Sequence, residues 1–384
     1  MSAGRSSTPL PDAAWLLALS TLTRMGPRRL GALLERRTPA QAWAIVRADR
    51  AATLPELVAV LGNEASTLPT AWAGEARLRD PAEFWDLHLK AGIRSTTPDY
   101  ADHPEVFDDD PEPPRVLCSI GDRMVLDGPR VAIVGTRRCT STGRGIAHEM
   151  GRDLALAGVR VVSGLALGID AAAHRGALSV EGAPPIGIVG NGLDVVYPQR
   201  HADLYREVAG KGVLLSEYPL GALPRGWTFP ARNRLVAALA DLVVVVESHA
   251  KGGSLYTADE ALERGRRVLV VPGSVRSPAS AGTNQLLVDG CCDPARDADD
   301  VLSALGLEAA RRTRGKDSRR APEPSDATVL GEVGWEPTPL EQIVLRTGMG
   351  LAQVHESLER LEDAGWLRTT GGWVERLTLA EASC

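Results

Sequence analysis

The sequence predicts an α/β chain: an extended Rossmann-like, doubly wound parallel sheet, preceded by a helical module and followed by a winged helix. Three observations predict it. Short unbroken apolar runs, among them Val131 to Val134, Leu242 to Val246 and Val268 to Val271, alternate with helix-patterned segments and end in glycine-rich or polar turns. Continuous apolar character means strands covered on both faces, as in a parallel sheet clothed by helices. The front of the chain is rich in Ala, Leu and Arg at helical spacing, and the tail reads helix, turn, helix, hairpin.

The helical module is expected over residues 11–80. Within it, Leu22 to Leu30 suggests a helix, a tight turn at Gly26 and a second helix carrying Leu30, Leu33 and Leu34, a helix-hairpin-helix or SAM-like outline. Such a hairpin either offers backbone N–H groups to a DNA phosphate or is a plain hairpin with a solvated Arg28–Arg29 pair. The sheet domain is expected over 84–307. Its strands fall at 130–134, 159–163, 185–189, 212–215, 241–247 and 267–272, its helices at 143–157, 169–178, 233–240 and 254–264. Residues 308–334 collect Arg, Lys, Pro, Glu and Ser without periodicity and read as a flexible linker. The winged helix follows at 335–378, with helices over 340–347 and 351–364 and two strands around Gly371 and Gly372.

At 384 residues the chain is long enough for two or three domains. Its net charge is −6, so a nucleic-acid partner needs a local basic strip rather than bulk charge. The cysteines, Cys118, Cys139, Cys291, Cys292 and Cys384, are odd in number and contain no C-x-x-C, which argues for a reducing compartment. The apolar run from Ala13 to Leu19 follows Pro9, Pro11 and Asp12 and reads as a first helix rather than a signal peptide. No apolar stretch approaches the ~20 residues of a membrane helix. The expectation is a cytoplasmic protein with no membrane contact. His174 and His249 stand alone, which points away from a metal. No cofactor is expected. For acid–base work only Glu247 and Asp259 offer themselves, and a strand-end Glu and a helix-face Asp are usually structural, so no enzyme is expected.

Three turns following strands gather at one edge of such a sheet. The first, Gly135 to Gly143, holds Thr136, Arg137, Arg138 and Thr140 ahead of a helix N-terminus, a pattern that suits a phosphate. Its glycine spacing matches neither the dinucleotide fingerprint nor a Walker loop. The second, Ser163 to Asp170, carries Gly164 and Gly168. The third, Lys251 to Thr257, opens a helix with Gly252, Gly253 and Ser254. Each alone reads equally as a structural turn. Three at one edge favour a ligand, because open α/β sheets bind there. A fourth element, Phe229-Pro-Ala-Arg232-Asn233-Arg234, joins an aromatic that can stack on an unpaired base to two arginine forks that match phosphate oxygens.

Taken together, Gly135 to Arg138, Ser163 to Leu178, Gly192 to Pro198, Leu215 to Glu217, Phe229 to Arg234, Gly253 to Ala258 and Val271 to Gly273 resemble, in order, the DNA-processing protein A (DprA/Smf) family. The likeness spans about residues 93–290. It implies a Rossmann-like domain that binds single-stranded DNA, dimerises and helps load RecA recombinase on incoming DNA in natural transformation. The implied contacts are Gly135, Thr136, Arg137, Arg138, Thr140, Gly164, Gly168, Phe229, Arg232, Asn233, Arg234, Lys251, Gly252, Gly253 and Ser254. The sequence departs from the pattern at Leu167, where relatives often carry Arg, at His201, where Asn is usual, and at Cys291, where Ala often stands. Two other readings stand beside this one. A nucleotide-cleaving enzyme of a related Rossmann branch needs a Pro-Gly-Gly-x-Gly-Thr loop, whereas Pro272-Gly273 here continues into Ser-Val-Arg. A transcriptional regulator needs a basic winged helix, but here Glu341, Glu356, Glu359, Glu362 and Asp363 stand against Arg346 and Arg360, which fits a protein contact better than duplex DNA.

Overall fold

The computed structural model describes residues 9–100, 102–307, 319–334 and 337–377, and it divides into two units between residues 310 and 311. The first unit opens with six helices: α1 (Asp12–Ser20), α2 (Pro27–Leu34), α3 (Pro39–Arg47), α4 (Pro55–Leu61), α5 (Leu68–Arg77) and α6 (Pro81–Lys90). Four of them begin on proline at their first position, where the missing N–H would have had no intrahelical partner anyway. These helices do not close a core of their own. Leu17, Leu33, Leu57 and Trp72 are buried in one cluster with Ile93, Cys118, Leu165, Leu204 and Leu214 of the sheet region. The module expected as separate therefore shares its core with the sheet, and both belong to one unit.

Nine strands make that sheet. They are β1 (Arg94–Thr96), β2 (Leu117–Gly121), β3 (Arg130–Val134), β4 (Arg160–Ser163), β5 (Ile186–Ile188), β6 (Val213–Ser216), β7 (Leu242–Val245), β8 (Arg267–Val270) and β9 (Asp293–Pro294), in the order β1-β2-β6-β5-β4-β3-β7-β8-β9. From β6 to β9 every pairing is parallel, while β1 and β2 add an antiparallel edge beside β6. The connecting helices are α7 (Ser141–Leu156), α8 (Ile169–Leu178), α9 (Ala202–Lys211), α10 (Thr228–Leu239), α11 (Gly253–Glu263), α12 (Ala281–Val288) and α13 (Ala298–Ala304). Val131 and Ile133 pack with Met150, Leu154, Ala173 and Val301 on one face; Ala132 and Val134 pack with Leu235, Val236, Ala261 and Leu286 on the other. This two-sided burial explains why the strands read as unbroken apolar runs. After β3 the chain winds outward through β4, β5 and β6, then returns to place β7 on the other side of β3. The carboxyl end of β3 thus lies at the reversal of strand order, where sheets of this kind bind ligands.

The second unit contains α14 (Pro324–Glu332), β10 (Thr338–Pro339), α15 (Leu340–Thr347), α16 (Leu351–Asp363), β11 (Leu367–Thr370) and β12 (Trp373–Arg376), with strand order β10-β12-β11. Val329, Ile343, Val354, Leu358, Leu361, Leu367 and Val374 form its core. The linker expected over 308–334 is corrected here. Residues 324–332 are helical, Val329 and Leu330 are buried, and Asp326 pairs with Arg360 of α16. The Arg360 guanidinium holds the Asp326 carboxyl below its ordinary range. Two apolar contacts in nine residues were too few for periodicity to register. The stretch 308–318, and Trp335 and residue 378 at the expected limits of the winged helix, lie outside the described residues.

Candidate nucleic-acid interface

The first turn is not an open phosphate cradle. The backbone N–H and Oγ1 of Thr140 donate to the two carboxylate oxygens of Glu247 at 2.9 and 2.6 Å, and Thr140 Oγ1 accepts the N–H of Gly143 at 2.9 Å. Glu247 is buried. It leaves the end of β7 to cap α7, so the positive end of that helix is already neutralised by a carboxylate of the protein itself. Gly143 is where this carboxylate lies closest, and a Cβ there would overlap it. Gly135 is likewise a packing position, since a Cβ would meet Ile169 and the Glu247 carbonyl. The Thr136 N–H donates to that carbonyl at 2.8 Å. What the turn presents outward is Arg137 and Arg138, both exposed and without an ion-pair partner among the described residues. Replacing Gly143 by alanine is expected to push Glu247 off the cap and to cost about 1–2 kcal/mol in a denaturant titration. An unchanged midpoint would show that α7 does not depend on this carboxylate.

The second turn makes room for an arginine. A Cβ on Gly164 would fall on the Arg232 guanidinium, and one on Gly168 (φ 79°) would meet the backbone of Thr136 and Arg137. Arg232 is only 5% exposed; its Nη1 donates to the Ile188 carbonyl at 2.5 Å, while its Nε has no acceptor among the described residues. Burial lowers the pKa of Arg232 and raises that of the buried Asp170 carboxyl, and each charge opposes the shift of the other. The Asp170 carboxylate also accepts the Gly164 N–H at 3.1 Å. Arg232 was expected just ahead of a helix starting near residue 233. The structure corrects this: it lies inside α10, which begins at Thr228.

Above Arg232 lies a crevice of about 40 Å3, bordered by Arg137, Gly164, Leu167, Gly190, Tyr197 and Phe229 among others. Arg137 sits over the Phe229 ring, 4.9 Å from its centroid, and the Tyr197 ring lies 5.5 Å from Phe229 on a cis Tyr197–Pro198 peptide. A cation and two partly exposed rings therefore form one stack at the carboxyl edge of the sheet. Tyr197 was not among the expected contacts. Its Tyr-Pro motif was visible in the sequence, but nothing there joined it to Phe229. Leu167 lines the crevice with an apolar side chain, and His201, through Nδ1, contacts the Leu165 carbonyl at 3.2 Å.

The remaining expected residues separate. Arg234 is buried, pairs with both carboxylate oxygens of Glu217 and donates to the Glu112 carbonyl at 2.6 Å. Its fork is spent inside the protein, which corrects its place among the contacts. Asn233 donates to the Gly253 carbonyl at 3.3 Å, joining the middle of α10 to the third turn. In that turn Ser254 is buried against Ser248 Oγ at 2.9 Å and Gly252 gives room to the same hydroxyl, whereas Lys251 and Gly253 are exposed. His174 is buried beside the Ile186 carbonyl at 3.1 Å, and burial takes its pKa down to about 4, so it is neutral at pH 7. Among the described residues no group of His, Cys, Asp and Glu is arranged to hold a metal ion, and no helix is long and apolar enough to cross a membrane.

A family model described as DNA recombination-mediator protein A matches residues 94–306, more than half of the chain. The chain belongs to the DNA recombination-mediator protein A family. A second model, of the DprA winged helix domain, matches residues 315–372. Among its relatives, protein Smf of Synechocystis is 34% identical over 328 residues, 76% of this chain and 82% of that protein. Protein Smf of Escherichia coli is 35% identical over 275 residues, 70% and 73% of the two chains. The solved DprA structure from Streptococcus pneumoniae aligns with a TM-score of 0.59 at 29% identity, over 77% of this chain and 98% of that one. DNA processing protein A from Helicobacter pylori, solved for its single-stranded DNA binding mode, aligns at 0.51 with 34% identity, over 55% and 95%.

Proposed function

We propose that this DprA family member is a single-stranded DNA-binding recombination mediator and not an enzyme. The observation that carries the reading is the Arg137–Phe229–Tyr197 stack at the sheet edge above the buried Arg232. Unpaired bases stack on exposed rings without sequence preference, and exposed Arg137, Arg138 and Lys251 suit the phosphates between them. Duplex bases are already stacked and cannot use the rings. Glu247, the acid–base candidate, is committed to capping α7, which supports a binding role over catalysis. Family membership supports loading of RecA, a homodimer and work in the cytoplasm during natural transformation. Exposed Glu341, Glu356, Glu359, Glu362 and Asp363 suit the winged helix to a protein partner rather than to duplex DNA.

The test is a binding titration on single strands and matched duplexes, with and without RecA. The single strand should bind more tightly, and equal affinity for the duplex would sink the reading. Arg137→Ala should weaken single-strand binding and reduce the slope of log affinity against log salt by about 0.7, one phosphate contact. Its melting temperature should not move, because Arg137 is exposed and has no ion-pair partner among the described residues. Arg137→Lys should keep more of the slope but still weaken binding, since an ammonium lacks the planar fork.

A further inference from the structure

A groove of about 740 Å3 runs between the α1–α2 turn and the segment following β6. Its lining contains five arginines, Arg24, Arg28, Arg29, Arg79 and Arg225, and no acidic residue. In a chain of net charge −6, such a wall is a local reversal of sign. Glu64, Glu75 and Asp194 bond to wall residues without lining the groove: Glu64 pairs with Arg24 and Arg29, Glu75 accepts the Thr23 N–H at 2.9 Å, and Asp194 accepts the Gly221 N–H at 2.9 Å. Arg28 and Arg225 are exposed and have no ion-pair partner among the described residues. Aromatic surface lies between the cations. Phe84, Tyr218 and Trp227 line the same groove, Trp227 is 48% exposed, and the Tyr218 and Trp227 rings meet edge-on at 6.1 Å.

The wall is built rather than incidental. Trp72 is fully buried and its indole N–H donates to the Thr23 carbonyl at 2.7 Å, which anchors the turn, and Arg24 holds a left-handed conformation (φ 59°). The first turn of α2 lines the groove and has no side-chain cap, so its free backbone N–H groups add to the positive field. Groove and crevice adjoin through the chain. Trp227 and Thr228 line the groove, and the next residue, Phe229, lines the crevice.

From this we infer that the groove is a second nucleic-acid subsite, taking the stretch of a single strand that continues past the Phe229 crevice; this rests on the function proposed above. Arginines interleaved with partly exposed rings recognise phosphates and unpaired bases together. An acidic peptide would use the cations and leave the rings idle.

The test compares oligothymidylates of about 6 and about 20 nucleotides on the full chain. The Arg28→Ala/Arg225→Ala double variant should lose about 1.4 from the salt slope with the long strand, two contacts at about 0.7 each, and change short-strand affinity less than twofold. Trp227→Ala should weaken the long strand by about tenfold with a smaller change in the salt slope. An unchanged affinity and slope for the long strand in these variants, with Arg137→Ala still weakening both lengths, overturns the groove and leaves the crevice standing. If Arg137→Ala affects neither length, it is the crevice reading that fails.

Discussion

Replacing Arg234 by alanine is expected to destabilise the first unit by about 3–5 kcal/mol, the usual result of breaking one side of a buried ion pair. The carboxylate of Glu217, whose side chain is only 14% exposed, would stay largely buried and lose its counter-charge. Burial already pushes the Glu217 carboxyl upward, and Arg234 is the main influence pulling it back. Without Arg234 the folded carboxyl lies further above its unfolded value. A carboxyl raised in this way favours folding at pH below its unfolded range, and the benefit disappears as pH rises through the folded value. The variant should therefore be weakest near neutrality and regain stability as the pH falls toward 5. Denaturant titrations of both proteins across that interval measure the difference. A loss below about 1 kcal/mol at pH 7, or a loss independent of pH, would mean the pair is solvated and Arg234 is free for a ligand. Replacing both partners by apolar residues of similar volume should recover most of the loss.

Arg232→Ala is expected to damage both folding and binding, which no other arginine at the edge should do. Removing it leaves the Ile188 carbonyl without its donor, Asp170 without the charge that opposes its burial, and a hole over Gly164. A loss of about 2–4 kcal/mol follows. Single-strand affinity should fall by an order of magnitude or more when measured well below the melting transition, because Arg232 forms the floor of the crevice beneath Phe229 and Tyr197. The salt slope then separates two roles. A direct phosphate contact by the guanidinium removes about 0.7 from the slope, whereas an arginine that only positions the crevice leaves the slope intact. Retained affinity in a less stable variant would make Arg232 purely structural. Arg137→Ala, changing affinity without stability, is the control.

These expectations divide two arginines that the sequence spaces two apart in one motif. As residues 232 and 234 they looked equivalent, a pair of forks beside an aromatic. The helix starting at Thr228 carries one under the crevice and the other to Glu217 on the far side of the motif. Only the partners that the fold brings up, Ile188 and Asp170 in one case and Glu112 and Glu217 in the other, separate them. Glu247 shows the same limit from the opposite direction. A strand-end carboxylate and a polar turn a hundred residues away gave no sign that one would fill the other.

The parallel sheet with helices on both faces, the winged helix and the motifs that mark the family were determined by the sequence alone, because apolar periodicity and turn chemistry are local properties. So were the exposed cations of the first turn and the aromatic at Phe229. The tertiary structure decided the strand order, the antiparallel β1–β2 edge, the core shared by α1–α6 and the sheet, and the stacking of Tyr197 on Phe229. It also decided which charges face solvent and which are consumed inside. Each of these depends on contacts between residues far apart in the chain, and the free energy of a buried charge is set by the partner that reaches it rather than by its neighbours in sequence.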